Sequence, residues 1–212
     1  MKIIEKNHRF NGGFKLRKAT KRVVIHHSAS GDISSETIHR WHLDRRWIGI
    51  GYHYVIRQNG DIETGRPEDT VGAHAGAGAN PDSIGICLVG NFEHDKPTAA
   101  QMKSLAWLIK NVIYAKYGVL PIQGHKDHMA TACPGRYFPW SDLKEFLTEP
   151  TPLPVRLTIN KNQSNATLRI VDGRTEALLS GSWVQLRDLA NLLLAGIEWD
   201  EKTRTINFVI KE

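Results

Sequence analysis

Across the 212 residues there is no run of about 18 apolar residues, so no membrane-crossing helix is expected. The first ten residues, Met1 to Phe10, contain no apolar stretch of signal-peptide length. The expectation is synthesis in the cytoplasm, with any action outside needing another exit route. Cysteine is scarce: Cys87 and Cys133 are the whole complement, too few for a disulfide framework. A chain without a secretory signal generally keeps its thiols reduced. Basic blocks and basic–aromatic repeats are missing too. The net charge of +6 would suit nucleic acid or another anionic polymer, and their absence argues against nucleic acid. What is present is ordinary for a soluble globular protein, with 41% apolar and 24% charged residues, enough to bury a core.

Histidine and cysteine are unevenly placed. All ten histidines lie between His8 and His128, and neither residue type occurs after Cys133. Three prolines fall within residues 150–154, which reads as a stiff, extended linker. The expected organisation is a chemistry-bearing domain over 1–149, the linker over 150–154, and a small domain over 155–212. In the first domain, Arg22 to His27 reads as a buried strand, and Ser34 or Ser35 as the N-cap of a helix. Tyr52 to Arg57 and Asp61 to Glu63 read as a hairpin around the two-residue turn Asn59-Gly60. Ser83 to Val89 is another buried strand. Thr98 to Tyr117 is one long amphipathic helix, its buried face expected at Met102, Leu105, Leu108 or Ile109, and Val112, with a stop at Gly118. Ser141 to Leu147 is a closing helix. This alternation predicts an α/β fold with a central mixed sheet flanked by helices. The second domain reads as ββαββ: strands at Val155–Ile159 and Thr167–Val171, a helix over Leu186–Leu194, then strands at Gly196–Trp199 and Thr205–Ile210.

A catalytic zinc site uses three His, Cys or carboxylate ligands and leaves one position open. Residues of those types are His26 and His27 at the end of the first strand, and His125, Asp127, His128 and Cys133 in one later loop. Seven residues separate His125 from Cys133, which is not one of the tight spacings of structural zinc sites. On residue types alone, a metal site and a set of space-filling core histidines with a buried thiol both stand.

Several segments together carry a resemblance. They are Val24-Ile25-His26-His27-Ser28-Ala29-Ser30, Gly51-Tyr52-His53-Tyr54, Asp61 to Arg66, Val71-Gly72-Ala73-His74, Asn80 to Gly90, and Gly124-His125 through Cys133-Pro134-Gly135. In this order, over residues from about 20 to 147, the chain resembles the zinc-dependent N-acetylmuramoyl-L-alanine amidases, which include phage endolysins and animal peptidoglycan-recognition proteins. The resemblance implies Zn2+ as cofactor, with His26, His125 and Cys133 as ligands, and peptidoglycan as substrate. It implies catalytic roles for Tyr52 and for Thr131, which stands where the family has lysine or threonine. His74, in a glycine-rich loop, and Asn80 are expected to contact substrate, with an ordinary loop role as the alternative, and the bidentate fork of Arg66 suits a stem-peptide carboxylate. Cys87 stands where a related branch has a glutamate base, so the tyrosine branch is expected here and Cys87 reads as a structural thiol. The implied activity is hydrolysis of the amide between the muramic acid lactyl group and L-alanine, by an endolysin or autolysin. The alternative is a module that holds muropeptide without cutting it; relatives of that kind commonly lack the cysteine ligand. In the second domain, Gly173-Arg174-Thr175, Trp183 to Ala190 and Ile197 to Asp200 resemble the stalk-like repeat of copper amine oxidases, implying a wall-attachment or spacing module.

Overall fold

The computed structural model describes residues 1–148, 153–159, 162–171, 174–179, 182–192, 195–200 and 205–210. Contacts divide the chain into two units, Met1–Leu147 and Thr148–Glu212. The sheet of the first contains β1 (Ile3–Ile4), β2 (Arg22–His27), β3 (Tyr54–Ile56), β4 (Ile62–Thr64), β5 (Ser83–Leu88) and β6 (Ile122–Gly124), in the order β1-β4-β3-β5-β2-β6. Only β3–β4 is antiparallel; β5 pairs parallel with β2 and β3, β2 with β6, and β1 with β4. Central parallel strands are covered on both faces, so they read as continuous apolar runs rather than alternating ones. Val23, Val24, Ile25, Ile84, Ile86 and Leu88 are accordingly all fully buried.

Alternation along β2 assigns its side chains to two layers. Val23 and Ile25 join the main core with Ile84, Ile86, Leu105, Leu108, Ile109 and Leu143. Each fully buried Ile or Leu there contributes roughly 1.5–3 kcal/mol. Val24 and His26 point the other way, toward the layer that holds Ala75, Ala79, Ile38 and Ile50. This second layer is built by α1 (Ser35–Asp44) and by loops, and a polar site can sit in it.

The helix α1 begins at Ser34, whose side chain accepts from Thr37 N at 3.4 Å. Its first turn is also tied down by Glu63, which accepts from Ser35 N at 2.6 Å. Thr98 caps α2 (Ala99–Leu108) in a reciprocal capping box with Gln101. The expected single helix is interrupted by a π-turn at Ile109–Ile113 before α3 (Tyr114–Tyr117), and Gly118 ends it at φ 76°. The extra residue in that turn moves the buried position from Val112, which is only partly buried, to Ile113, which is fully buried. The closing helix α4 runs Trp140–Thr148. Between β3 and β4 the connection is longer than a two-residue turn. Arg57 N donates to Asp61 O, and the three residues between them include Gly60 at φ 91°, the left-handed position that this loop length demands.

The second unit comprises β7 (Leu153–Ile159), β8 (Asn162–Val171), β9 (Arg174–Leu179), β10 (Ser182–Gln185), α5 (Leu186–Leu192), β11 (Ala195–Asp200) and β12 (Thr205–Ile210), ordered β10-β9-β8-β7-β12-β11. The expected ββαββ therefore gains two strands before the helix. Arg174-Thr175-Glu176-Ala177-Leu178-Leu179 is rich in good helix formers, and antiparallel pairing with β8 overrides that preference. Leu153 and Pro154, assigned to the linker from sequence, already pair with Leu168 and Thr167. Residues 150–152 of the expected linker, and Gly173 of the stalk-like motif, lie outside the described residues. No helix among the described residues is long and apolar enough to cross a membrane.

Candidate metal centre

His26, at the C-terminal end of β2, is fully buried and faces the second layer; His27 turns to the opposite side, where its Nδ1 accepts from Phe92 N at 3.0 Å. β6 delivers the chain into a short 3-10 turn at His125–Asp127. Asp127 closes that turn by accepting from Gly124 N at 2.7 Å, so its carboxylate is held there. His128 is likewise engaged, with Gln123 Oε1 at 3.1 Å from its Nε2. The loop then folds back: Lys126 N donates to Cys133 O at 2.8 Å, and Thr131 Oγ1 accepts from Cys133 N at 3.2 Å. This brings the Cys133 sulfur beneath β2, where it accepts from His27 N at 3.3 Å.

One ligand-type atom from each of His26, His125 and Cys133 lies within 4.8 Å of the other two. The Nδ1 of His26 is 3.8 Å from Cys133 Sγ. Ligands on a tetrahedral ion with nitrogen and sulfur donors are separated by about 3.4–3.6 Å, so a small contraction brings this pair into coordination. The Nε2 of His125 is buried without a hydrogen-bond partner. A buried, unpaired ring nitrogen costs roughly 1–3 kcal/mol unless something satisfies it. Burial pushes the Cys133 thiol up to about 11, the hydrogen bond from the His27 amide acting in the opposite direction. Two nitrogens and one sulfur meeting in a largely buried cluster fit a metal ion of the borderline-soft kind.

Tyr52 lies beside this cluster, its ring 5.0 Å from that of His26 and 5.6 Å from that of His42. Burial holds its phenol well above the usual tyrosine range, reinforced by the neighbouring Cys87 and Cys133 sulfurs. Cys87 is fully buried in β5, in register with His26 on one side and Val55 on the other. Thr131 is exposed at the rim.

The residues expected to contact substrate are placed differently. Arg66 is 6% exposed and its guanidinium donates to Ile50 O and Val71 O beneath the Phe14 ring. Its fork is thus committed to backbone carbonyls rather than presented to a carboxylate. Asn80 Oδ1 accepts from both His74 N and Ala75 N at 2.8 Å, closing the glycine-rich loop. His74 is buried, with its Nδ1 3.0 Å from His26 Nε2.

Two further histidines, not assigned from sequence, support Tyr52 from α1. His39 Nδ1 accepts from Ile50 N at 3.1 Å and His42 Nδ1 from Gly51 N at 3.0 Å, anchoring the two residues before it. Their i, i+3 spacing on one helix face was the available signal. His53 Nδ1 accepts from Gly85 N at 2.9 Å. Burial lowers His42 to about 4, helped by Arg45 and Arg66, and lowers His53 to about 3. Both are neutral in the fold, whereas unfolded histidine titrates near 6.5. Their contribution to stability is therefore complete above about pH 6.5 and is lost as pH falls toward 4 and then 3. For His42 alone the loss is on the order of 3 kcal/mol. Thermal unfolding of metal-free protein, followed by circular dichroism, is expected to shift steadily downward between pH 6.5 and 4. A flat midpoint across that window would contradict the neutral, accepting state of these rings.

Comparison with known proteins agrees with this geometry. The family model described as N-acetylmuramoyl-L-alanine amidase matches residues 16–136. The endolysin of Escherichia phage T7 is 38% identical over 130 residues, covering 57% of this chain and 84% of that protein. Peptidoglycan recognition protein 1 of Bos taurus is 31% identical over 134 residues, 57% of this chain and 70% of its own length. Among solved structures, the N-acetylmuramoyl-L-alanine amidase LysC from Clostridium intestinale superposes with a TM-score of 0.66 at 37% identity, over 69% of this chain and 97% of that one. With the family model spanning more than half of its length, the chain belongs to the N-acetylmuramoyl-L-alanine amidase family.

Proposed function

We propose that the chain is a zinc-dependent peptidoglycan amidase of the endolysin kind, cleaving between the lactyl group of N-acetylmuramic acid and the first L-alanine. One observation carries the reading: donor atoms of His26 and of His125 and Cys133, the latter two in one loop far along the sequence from the first, converge within 4.8 Å around an otherwise unsatisfied imidazole nitrogen. Zinc held there would supply a Lewis acid for the amide carbonyl and would lower the pKa of water toward about 7. The chain supplies the rest. Tyr52, held as a neutral phenol by its burial, donates a hydrogen bond to the oxygen on which negative charge develops. Thr131 uses its oxygen as acceptor for Cys133 N, which leaves its hydroxyl proton for the same oxyanion. Neither residue contributes formal charge, so charge stabilisation falls to the ion while these two orient and select. His39 and His42 fix the backbone that carries Tyr52. For residues 155–212 the reading is wall attachment or spacing, supported by the stalk-like sequence resemblance.

Purified protein is expected to carry about one zinc per chain and to release new N-terminal L-alanine groups from purified cell walls. New reducing sugar ends without new amino termini would mean glycosidase chemistry and end the amidase reading. Binding of muropeptide with neither product would favour a recognition module.

A further inference from the structure

We propose that His74 is a positioning residue that fixes the tautomer of His26 through a directed hydrogen-bond chain, His26–His74–Ser83–Ala79, and thereby decides which His26 nitrogen faces the metal. This rests on the metal reading above and adds a residue to it. The direction of the chain is set at its far end. The Ala79 carbonyl can only accept, so Ser83, at 2.7 Å, must donate its single hydroxyl proton there. The Ser83 oxygen is then left to accept, and its neighbour at 3.4 Å is His74 Nε2, which must carry a proton. A neutral imidazole protonated at Nε2 has its lone pair on Nδ1. That atom lies 3.0 Å from His26 Nε2, so His26 must be the donor and must also be protonated at Nε2. The remaining lone pair of His26 is on Nδ1, the atom 3.8 Å from the Cys133 sulfur. Every step follows from donor and acceptor counts.

The surroundings of His74 are built to hold that ring in one place. A Cβ added at Gly72 or at Gly85 would come within 2.5 Å of its Cδ2, so the two glycines form a slot that fits the imidazole. Asn80 pins the backbone at both His74 N and Ala75 N. The ring meets His26 nearly edge-on, at an interplanar angle of 85°. A histidine ligand whose second nitrogen donates to a fixed acceptor is held in orientation and made more basic, and losing such a partner typically weakens metal binding 10–100-fold.

Two measurements on the full chain test this. In metal-free protein near neutral pH, long-range 15N–1H correlation spectra are expected to show His26 and His74 both protonated at Nε2. A proton on Nδ1 of either ring overturns the proposal. Next, Ser83→Ala removes the acceptor that orients His74 while leaving both rings in place. Zinc affinity, measured by competition with a chromophoric chelator, is expected to fall 10–100-fold, and the His74 ring to lose its single tautomer. His74→Phe fills the slot without an acceptor and should lose affinity to a similar extent. Unchanged affinity in both variants, each folded by circular dichroism, overturns the proposal. If the wild-type chain takes up no zinc, the ligand assignment falls, while the metal-free spectra still decide the hydrogen-bond chain.

Discussion

Replacement of Cys133 by serine is expected to leave the fold intact and to remove amide cleavage, with zinc affinity reduced by more than about 100-fold. The fold should survive because the sulfur's shortest contact with the scaffold is the hydrogen bond from His27 N at 3.3 Å, which a hydroxyl can accept equally well, and its contacts with His26 Nδ1 and His27 O are longer, at 3.8 and 3.9 Å. The loop that carries it is held independently by Lys126 N on Cys133 O and by the Thr131 turn. The change acts on the donor set alone. A thiolate is a charged, soft ligand; a serine hydroxyl stays protonated and binds a borderline-soft ion poorly. The two imidazoles left behind provide too few ligands to hold the ion firmly, and His125 Nε2 returns to being an unsatisfied buried nitrogen. Chelator competition, cell-wall amine release and circular dichroism on the same preparation check the three parts. Turnover at the wild-type rate from a folded Cys133→Ser protein would mean that the ligand set is wrong.

The central mixed sheet with flanking helices was legible because β2 and β5 carry the apolar runs Val23 to Ile25 and Ile84 to Leu88, and such runs have few other places to go; the order of the strands was not. The choice between His26 and His27 was not legible from periodicity. Alternation puts them on opposite faces, but which face holds the site depends on what covers it, and α1 with the glycine-rich loop is a tertiary fact. His74 and Asn80 were read from sequence as substrate contacts; the engagement of His74 with His26 depends on a slot made by Gly72 and Gly85, thirteen residues apart in sequence, and that of Asn80 is with backbone amides. Ser83 carried no signal at all: a serine opening a strand is common. Arg66 illustrates the opposite error, since a fork suited to carboxylates is equally suited to two backbone carbonyls once it is buried. The π-turn at Ile109–Ile113 is invisible in an apolar pattern that permits both α and π spacing.

A Tyr52→Phe protein should keep one zinc per chain and lose about 10²–10³-fold in kcat, with KM little altered. The ring remains, so its contacts with His26 and His42 remain, and the three proposed ligands are His26, His125 and Cys133. What disappears is one proton donor. The buried phenol is held well above the ordinary tyrosine range, so it is neutral throughout the range where the enzyme would work. It therefore acts by donating a hydrogen bond rather than by removing a proton, and its effect is confined to the state in which the amide oxygen has become negative. An interaction made only in the transition state lowers kcat and kcat/KM together, which separates this role from ordinary substrate binding. A phenol that stays neutral also leaves the pH behaviour alone: no limb of the wild-type rate profile between pH 6 and 9 should vanish in the phenylalanine variant. A variant with full kcat would remove Tyr52 from the chemistry, and one that loses its zinc would make the residue part of the metal's support instead.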